Sequence, residues 1–321
     1  MASQPRLAMY TSSKQVVVAA LVGNLLVAFT KAGAAAWTGS SAMLSEAVHS
    51  FVDTGNEMLL LYGMRRAARR ADAEHPIGYG RELYFWSFIV ALLVFALGAG
   101  VSIYEGILHV LHPEPISDPL VAYIVLAAAF AFEGASWRVS FRQFRAAKGP
   151  LGYYDAFRRS KDPPSFMVLF EDSAALIGIL IAVVGTMTAT LLDAPVFDGI
   201  ASILIGLVLA GTAALLARES KSLLIGERAD GRLSESILRI ANESNPALRA
   251  NGVLTVQLAP DQILAALSLE FADELRTPEI EKSVVEIEGK VRASHPEVVT
   301  LFVKPQTAAA FRETIRRRFG E

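Results

Sequence analysis

The chain contains no cysteine. That excludes a disulfide framework, a thiolate metal site and a cysteine nucleophile. Any metal site must therefore be built from His, Asp, Glu or backbone oxygen. Net charge is −2, so no bulk charge points to nucleic acid, and none is expected as a partner. A HExxH helix, the hydrolytic centre of an intramembrane metalloprotease, is absent. No internal repeat or low-complexity tract is evident. The N-terminal stretch MASQPRLAMYTSSKQ lacks the charged-then-apolar pattern of a cleaved signal. It also lacks the length and Arg/Ser bias of a mitochondrial presequence. The first apolar helix is thus expected to insert and stay, in a plasma (inner) membrane of bacterial type.

What is present is apolar. Of 321 residues, 53% are hydrophobic and only 19% charged, below the charge of an ordinary soluble domain. Mean hydropathy is +0.39. Six stretches reach the roughly 20 residues that a bilayer core demands, near 16–37, 42–64, 84–108, 120–137, 166–191 and 197–217. The basic residues are distributed asymmetrically. Arg65, Arg66, Arg69, Arg70 and Arg81 follow the second stretch. Arg138, Arg142, Arg145, Lys148, Arg158, Arg159 and Lys161 follow the fourth. The loops TGSS, HVLHPEPISDP and LDAPVF hold no Lys or Arg. The positive-inside rule then puts both termini in the cytoplasm, with Tyr84, Phe85 and Trp86 as an interfacial belt on that side.

Beyond residue 218 the character changes. RLSESILRIANESN has helical periodicity, and GVLTVQLAP and QILAALSLEFA read as strands about a Pro260-Asp261 turn. Thr277-Pro278 looks like an N-cap followed by proline at the first helical position. TPEIEKSVVEIEGKVRAS continues as an amphipathic helix, EVVTLFVKP as a strand and FRETIRRRF as a terminal helix. The expected fold is an all-α six-helix transmembrane bundle over 1–218. A small cytoplasmic α+β domain, ordered α-β-β-α-β, is expected over 219–321.

The second apolar stretch carries SEAVHSFVDTGNE, residues 45–57. An ionisable residue at membrane depth costs about 2.5–3.5 kcal/mol even on the mild insertion scale. His49 and Asp53 are four apart and share a helix face. Ser45 and Glu57 extend that stripe, with Glu46 and Asn56 on its flanks. Imidazole and carboxylate at this spacing suit zinc and similar first-row ions. The plainer reading is a hydrogen bond across the bundle. The fifth stretch adds Glu171 and Asp172, which point about 100° apart. Ala174, Ala175 and Gly178 permit close helix approach there. Asp172 can then meet His49 and Asp53 as a third ligand.

These residues resemble the cation diffusion facilitators, transporters of zinc and related divalent cations. GSSAMLSEAVHSFVD is similar to the family's second-helix signature, HPIGYGRE to its cytoplasmic loop, and FDGIASILIGLVLAGTAALLARESKSLLIGE to its sixth helix and exit. The pattern is similar to the branch that includes the mitochondrial zinc exporter of animals. The resemblance implies two acid or histidine pairs in helices two and five. Helix two supplies His49 and Asp53. Helix five supplies Asp172, with Val168 where the family has another ligand. The fourth place is left to water, Glu171 or Ser45. Asp72 and His75 match a second loop site of the family, with Tyr79 where some members have histidine. His295 is the one histidine of the cytoplasmic region, so no zinc cluster is expected there and a homodimerisation role is.

The implied activity is proton-coupled antiport by alternating access, with no permanently bound cofactor and no enzymatic reaction. Zinc is the favoured cargo, with Mn2+, Fe2+, Co2+ and Cd2+ open. Metal and proton compete because ligands bind metal deprotonated, and imidazole titrates near physiological pH. A non-transporting metal-sensing or partner-binding membrane protein is the alternative. A channel fits less well, since three convergent ligands hold an ion too tightly for conduction. His109, His112, Glu114 and Asp118 are assigned to loop polarity, Lys31 to snorkelling or an acid partner, and Asp198 to an interfacial cap. Glu133 is left without a role.

Overall fold

The computed structural model describes Leu21 and residues 24–320. The first seven of the residues expected to open the first span, apart from Leu21, lie outside the described set. Helix α1 covers residues 24–38 and α2 Ser41–Ala67. Helix α3 runs Glu82–Leu111, with a π-helical segment at Val94–Ala99. Helix α4 is Pro119–Lys148, α5 Tyr153–Arg159, α6 Pro163–Leu191 and α7 Val196–Ile225. Then come α8 (Gly231–Ser244), β1 (Leu248–Ala259), β2 (Gln262–Phe271), α9 (Thr277–Ser294), β3 (Val298–Pro305) and α10 (Ala308–Phe319).

Among the described residues, four helices are long and apolar enough to cross a membrane: Glu82–Leu111, Pro119–Ala146, Phe166–Leu191 and Val196–Ile225. Helix α2 has the length, 27 residues, but carries Glu46, Asp53 and Glu57 in its middle. Those charges keep it out of the set of four.

The chain divides into two compact units. One takes the described residues to Arg65 together with Phe85–Ser220. Its core joins Ala34, Met43, Leu126, Ile179, Ile205 and Leu209 from five helices. Small residues bring helices together: a methyl on Gly106 would lie 2.7 Å from the Gly199 carbonyl, so α3 and α7 touch backbone to backbone there. A methyl on Gly206 would likewise lie 3.0 Å from the Ile103 nitrogen, further along the same two helices.

The second unit takes Arg66–Tyr84 and Lys221–Glu321. Its sheet has the order β1-β2-β3. The first pair is antiparallel, with irregularities at Ala250/Gly252 and Gln257/Ala259, and the second parallel. A parallel pair needs a crossover, and α9 supplies it. Ile237, Ala265, Leu267, Ile287 and Val291 form the core under the sheet. The expected α-β-β-α-β order is present, with α10 appended. Two local details differ from expectation. The cap of α9 is Arg276, whose N–H donates to Glu279 at 2.8 Å, and Thr277 is already helical. The glutamate three residues on reaches back to the cap position, which moves the start by one residue. The 66–84 loop also packs with this unit. A methyl on Gly80 would lie 2.9 Å from Ala259 Cβ and 3.0 Å from the Leu258 carbonyl.

Candidate metal site

Helix α2 places its polar residues by periodicity alone, and its neighbours decide what each one touches. His49 is buried, and its Nε2 stands 2.8 Å from Asp53 Oδ2. That nitrogen makes no hydrogen bond of ordinary geometry among the described residues, although the carboxylate stands at ion-pair distance. The two atoms are thus adjacent without being satisfied by one another. Burial falls along the helix: the His49 side chain is 2% exposed and that of Asp53 17%.

Asp172 reaches the same region from α6. Its Oδ2 accepts from Ser136 at 3.1 Å and Ser140 at 3.2 Å, both on α4. Asp172 and Asp53 lie within electrostatic reach of each other. Yet among the described residues no three His, Asp or Glu side chains gather closely enough to hold one ion. The structure brings His49 to Asp53 and holds Asp172 apart on serine hydroxyls, within electrostatic reach of Asp53.

The candidates for a fourth place are otherwise engaged. Glu171, buried, accepts from Asn56 Nδ2 at 3.0 Å. Ser45 shares a hydrogen bond with Ser202 of α7, which in turn donates to the Ser102 carbonyl of α3 at 2.8 Å. Val168 is half-buried and has no donor to offer. Glu57 accepts from Asn24 of α1 at 2.7 Å.

Lys31 does not snorkel. Its side chain is fully buried, and Nζ lies 3.1 Å from Glu46 Oε2, 2.9 Å from Ser50 Oγ and 4.0 Å from Glu133 Oε1. That gives Glu133 its partner. A buried charge in an apolar helix signals that a partner exists, but sequence does not name it. Asp198 is no interfacial cap of its own helix. It is fully buried at the start of α7 and caps α2: Oδ2 accepts the N–H of Ser41 at 2.6 Å and of Ala42 at 3.1 Å, and Oδ1 accepts from Ser40 Oγ at 2.8 Å. The negative charge also suits the positive end of α2.

In the 66–84 loop, His75 Nδ1 and Asp72 Oδ1 stand 3.6 Å apart. Both Asp72 oxygens are taken up locally. Oδ1 accepts the N–H of Glu74 and His75, and Oδ2 accepts from Tyr79 Oη at 2.6 Å. The Tyr79 hydroxyl, more than the backbone donors, holds the Asp72 carboxyl below its ordinary range, and the same bond raises the Tyr79 phenol. Arg69 lies over the Tyr79 ring, 4.7 Å from its centre. His295 is bonded through Nε2 to Ser236 Oγ at 2.8 Å and lies beside Glu297. His109, half-buried, has no partner for its Nε2 among the described residues and lines a cavity of about 410 Å³ with Glu105, His112 and Glu114.

Residues 17–225 match the model of the cation efflux transmembrane domain. The chain belongs to the cation efflux family. With its four apolar helices, this family member is a multi-pass membrane protein. It is 37% identical over 239 residues to a Xenopus laevis protein named proton-coupled zinc antiporter SLC30A9, mitochondrial, covering 74% of this chain and 42% of that one. The human protein of the same name is 34% identical over 239 residues, with the same coverage. Metal tolerance protein C4 of Arabidopsis thaliana is 34% identical over 236 residues, 72% of this chain and 51% of the relative. The chain thus spans about half or less of the length of these curated relatives. The resemblance to the cation diffusion facilitators, and to the branch with a mitochondrial zinc antiporter, is borne out.

Proposed function

We propose that this protein is a divalent metal efflux transporter, with zinc as its first cargo, that exchanges metal for protons by alternating access. One observation carries the reading. A buried imidazole with an unpartnered nitrogen stands 2.8 Å from a carboxylate in the middle of a family transmembrane domain. Two donors so placed close on an ion at about 2.0–2.2 Å with small rotations of each side chain. The naming of relatives as zinc antiporters supports the cargo and the counter-ion.

In this reading the metal binds His49, Asp53 and Asp172, with water in the fourth place where Val168 has no donor. Asp172 turns from Ser136 and Ser140 towards the ion. Protons and metal compete for the imidazole and the carboxylates, so a proton arriving on His49 weakens the grip on the ion. Exposure that grows from His49 to Asp53 supports a conformation open towards the end bearing the basic loops, which is the cytoplasmic side. We take six spans, with α1 and α2 added to the four apolar helices, both termini in the cytoplasm and the plasma (inner) membrane as the location. We take 219–321 as a dimerisation module, supported by the exposed Val285, Val299 and Phe302. Asp72 and His75 remain a second metal pair only if the ion displaces Tyr79.

Purified protein in liposomes with an internal zinc dye and an imposed proton gradient tests the activity. Gradient-dependent zinc flux that is lost in Asp53→Ala is expected. Equal flux in the variant would overturn the assignment of the site. No flux of zinc, manganese or iron in the unaltered protein would favour the metal-sensing alternative.

A further inference from the structure

The Lys31–Glu46 pair is not among the proposed metal ligands. Glu46 precedes His49 by three residues and so sits on the adjoining face of α2. Its Oε2 accepts from Lys31, while Oε1 has no hydrogen-bond partner among the described residues. That free oxygen rests on the backbone of α6 at Gly178, where any side chain would collide with it. Both charges of the pair, and that of Glu133, act on His49 or on its acid neighbours.

Two features set this pair apart from a scaffold contact. First, Glu46 is a carboxylate with one oxygen still open, within one helical turn of the imidazole. Without a counter-charge it is a further ligand or attractor for a divalent ion. Second, Lys31 is tied to two carboxylates and a hydroxyl, the donor set of a cation site, so the ammonium stands where a small cation would.

We propose that Lys31 is a tethered counter-cation: by neutralising Glu46 it keeps that carboxylate out of the metal shell and sets the site's affinity low enough for release. This rests on the reading of His49, Asp53 and Asp172 as the metal site. Lys31 touches none of those three residues and acts through Glu46, so it is a positioning residue.

The sign of the effect distinguishes this role from a structural one. Removing the ammonium leaves a net negative charge near the site and tightens metal binding. Removing the carboxylate takes one negative charge from the group of Lys31, Glu46 and Glu133 and weakens it. A pair that only ties α1 to α2 would change affinity in the same direction on either side. Removing both restores the charge balance, and replacing a buried pair by neutral groups is often tolerated.

The test is zinc binding to full-length protein in nanodiscs, by titration calorimetry against a competing chelator, with melting temperature as a check on folding. Lys31→Met is expected to lower the zinc Kd at least about tenfold and Glu46→Gln to raise it by a similar factor, as one uncompensated charge does to a divalent ion in a low-dielectric setting. The double variant is expected within about threefold of the unaltered protein, as charge balance is restored. If Lys31→Met does not fold, Glu46→Gln and the double variant carry the test. Shifts of the same sign in both single variants, or no shift in either, overturn the inference. His49→Ala separates the two readings. If it abolishes zinc binding while the Lys31 and Glu46 variants bind normally, only this inference falls. If it leaves binding unchanged, the site falls and this inference with it.

Discussion

His49 Nε2 stands 2.8 Å from Asp53 Oδ2, and no hydrogen bond among the described residues satisfies that nitrogen. A nitrogen left open beside a carboxylate at membrane depth is a costly arrangement to keep for packing alone. His49→Ala and Asp53→Ala should each weaken zinc binding by at least about 100-fold, beyond the 10–100-fold typical of losing a partner outside the metal shell. Both variants should melt within a few degrees of the unaltered protein, since neither side chain anchors another helix. Competition binding on detergent-purified protein checks this. A loss of less than about tenfold in both would count against the pair as ligands, being the size expected from a group that only supports a ligand.

Ser136 and Ser140 hold Asp172 from α4. Because Asp172 turns from the serines to reach the ion, their hydrogen bonds compete with metal binding, and losing them is worth at least about tenfold in affinity, the low end for a hydrogen bond to a charged group. The Ser136→Ala, Ser140→Ala double variant should therefore bind zinc more tightly while keeping its melting temperature. Weaker binding would mean that the serines position Asp172 for the ion.

Asp198 caps α2 across the bundle and lies away from the proposed ligands. Asp198→Ala leaves the buried N–H groups of Ser41 and Ala42 and the hydroxyls of Ser40 and Thr186 without their acceptor, so a loss of at least about 2 kcal/mol is expected. Asp198→Asn, which keeps one acceptor, should fall in between. Thermal melts monitored by circular dichroism read the order. Asn and Ala losing equally would show that charge, not hydrogen bonding, is what the cap supplies.

Gly178 faces the free oxygen of Glu46. Gly178→Ala forces the carboxylate or α6 to move, at about 1–3 kcal/mol, the usual range for overpacking. The expected readout is a lower melting temperature and an altered zinc Kd together. A lower melting temperature with normal affinity would confine Gly178 to packing.

The 66–84 loop has its own pH dependence. Tyr79 donates to Asp72, which holds the carboxyl below its ordinary range. A depressed folded value stabilises the loop above the ordinary carboxylate range, and that contribution is lost as pH falls through the depressed value. In Tyr79→Phe the Asp72 carboxyl should titrate higher, towards its ordinary range. A side-chain NMR titration measures it. An unmoved Asp72 would assign the shift to the Glu74 and His75 N–H groups instead.

How much of this was legible in the sequence follows from how local each feature is. The His49–Asp53 pair is four residues apart on one helix, so periodicity alone places the two together. Thr277–Ser294 is likewise a local pattern, and its bounds agree with expectation, although Glu279 moves the cap to Arg276. The pairing of Lys31 with Glu46 and Glu133 depends on how three helices cross, which no short-range signal encodes. Asp198 and Ser41 are 157 residues apart, and a helix-start acid reads locally as the cap of its own helix. Asp172 was legible as an acid within an apolar stretch, able to approach His49 and Asp53, but its serine partners belong to a face of α4 that sequence leaves unassigned. The π-helical segment at Val94–Ala99 lies in an unbroken apolar run and carries no local mark. The charges within α2 lower its apolar character, and the same charges are what draws attention to it as a candidate site.

The most direct test of the central claim is where the metal sits. Zinc-loaded protein, with anomalous scattering measured at the zinc edge, should show one strong peak about 2.0–2.2 Å from both His49 Nε2 and an Asp53 oxygen, the ordinary zinc–ligand range. Asp172 is expected to have turned from Ser136 and Ser140 to complete the shell. A peak confined to Asp72 and His75, or none near α2, would contradict the account.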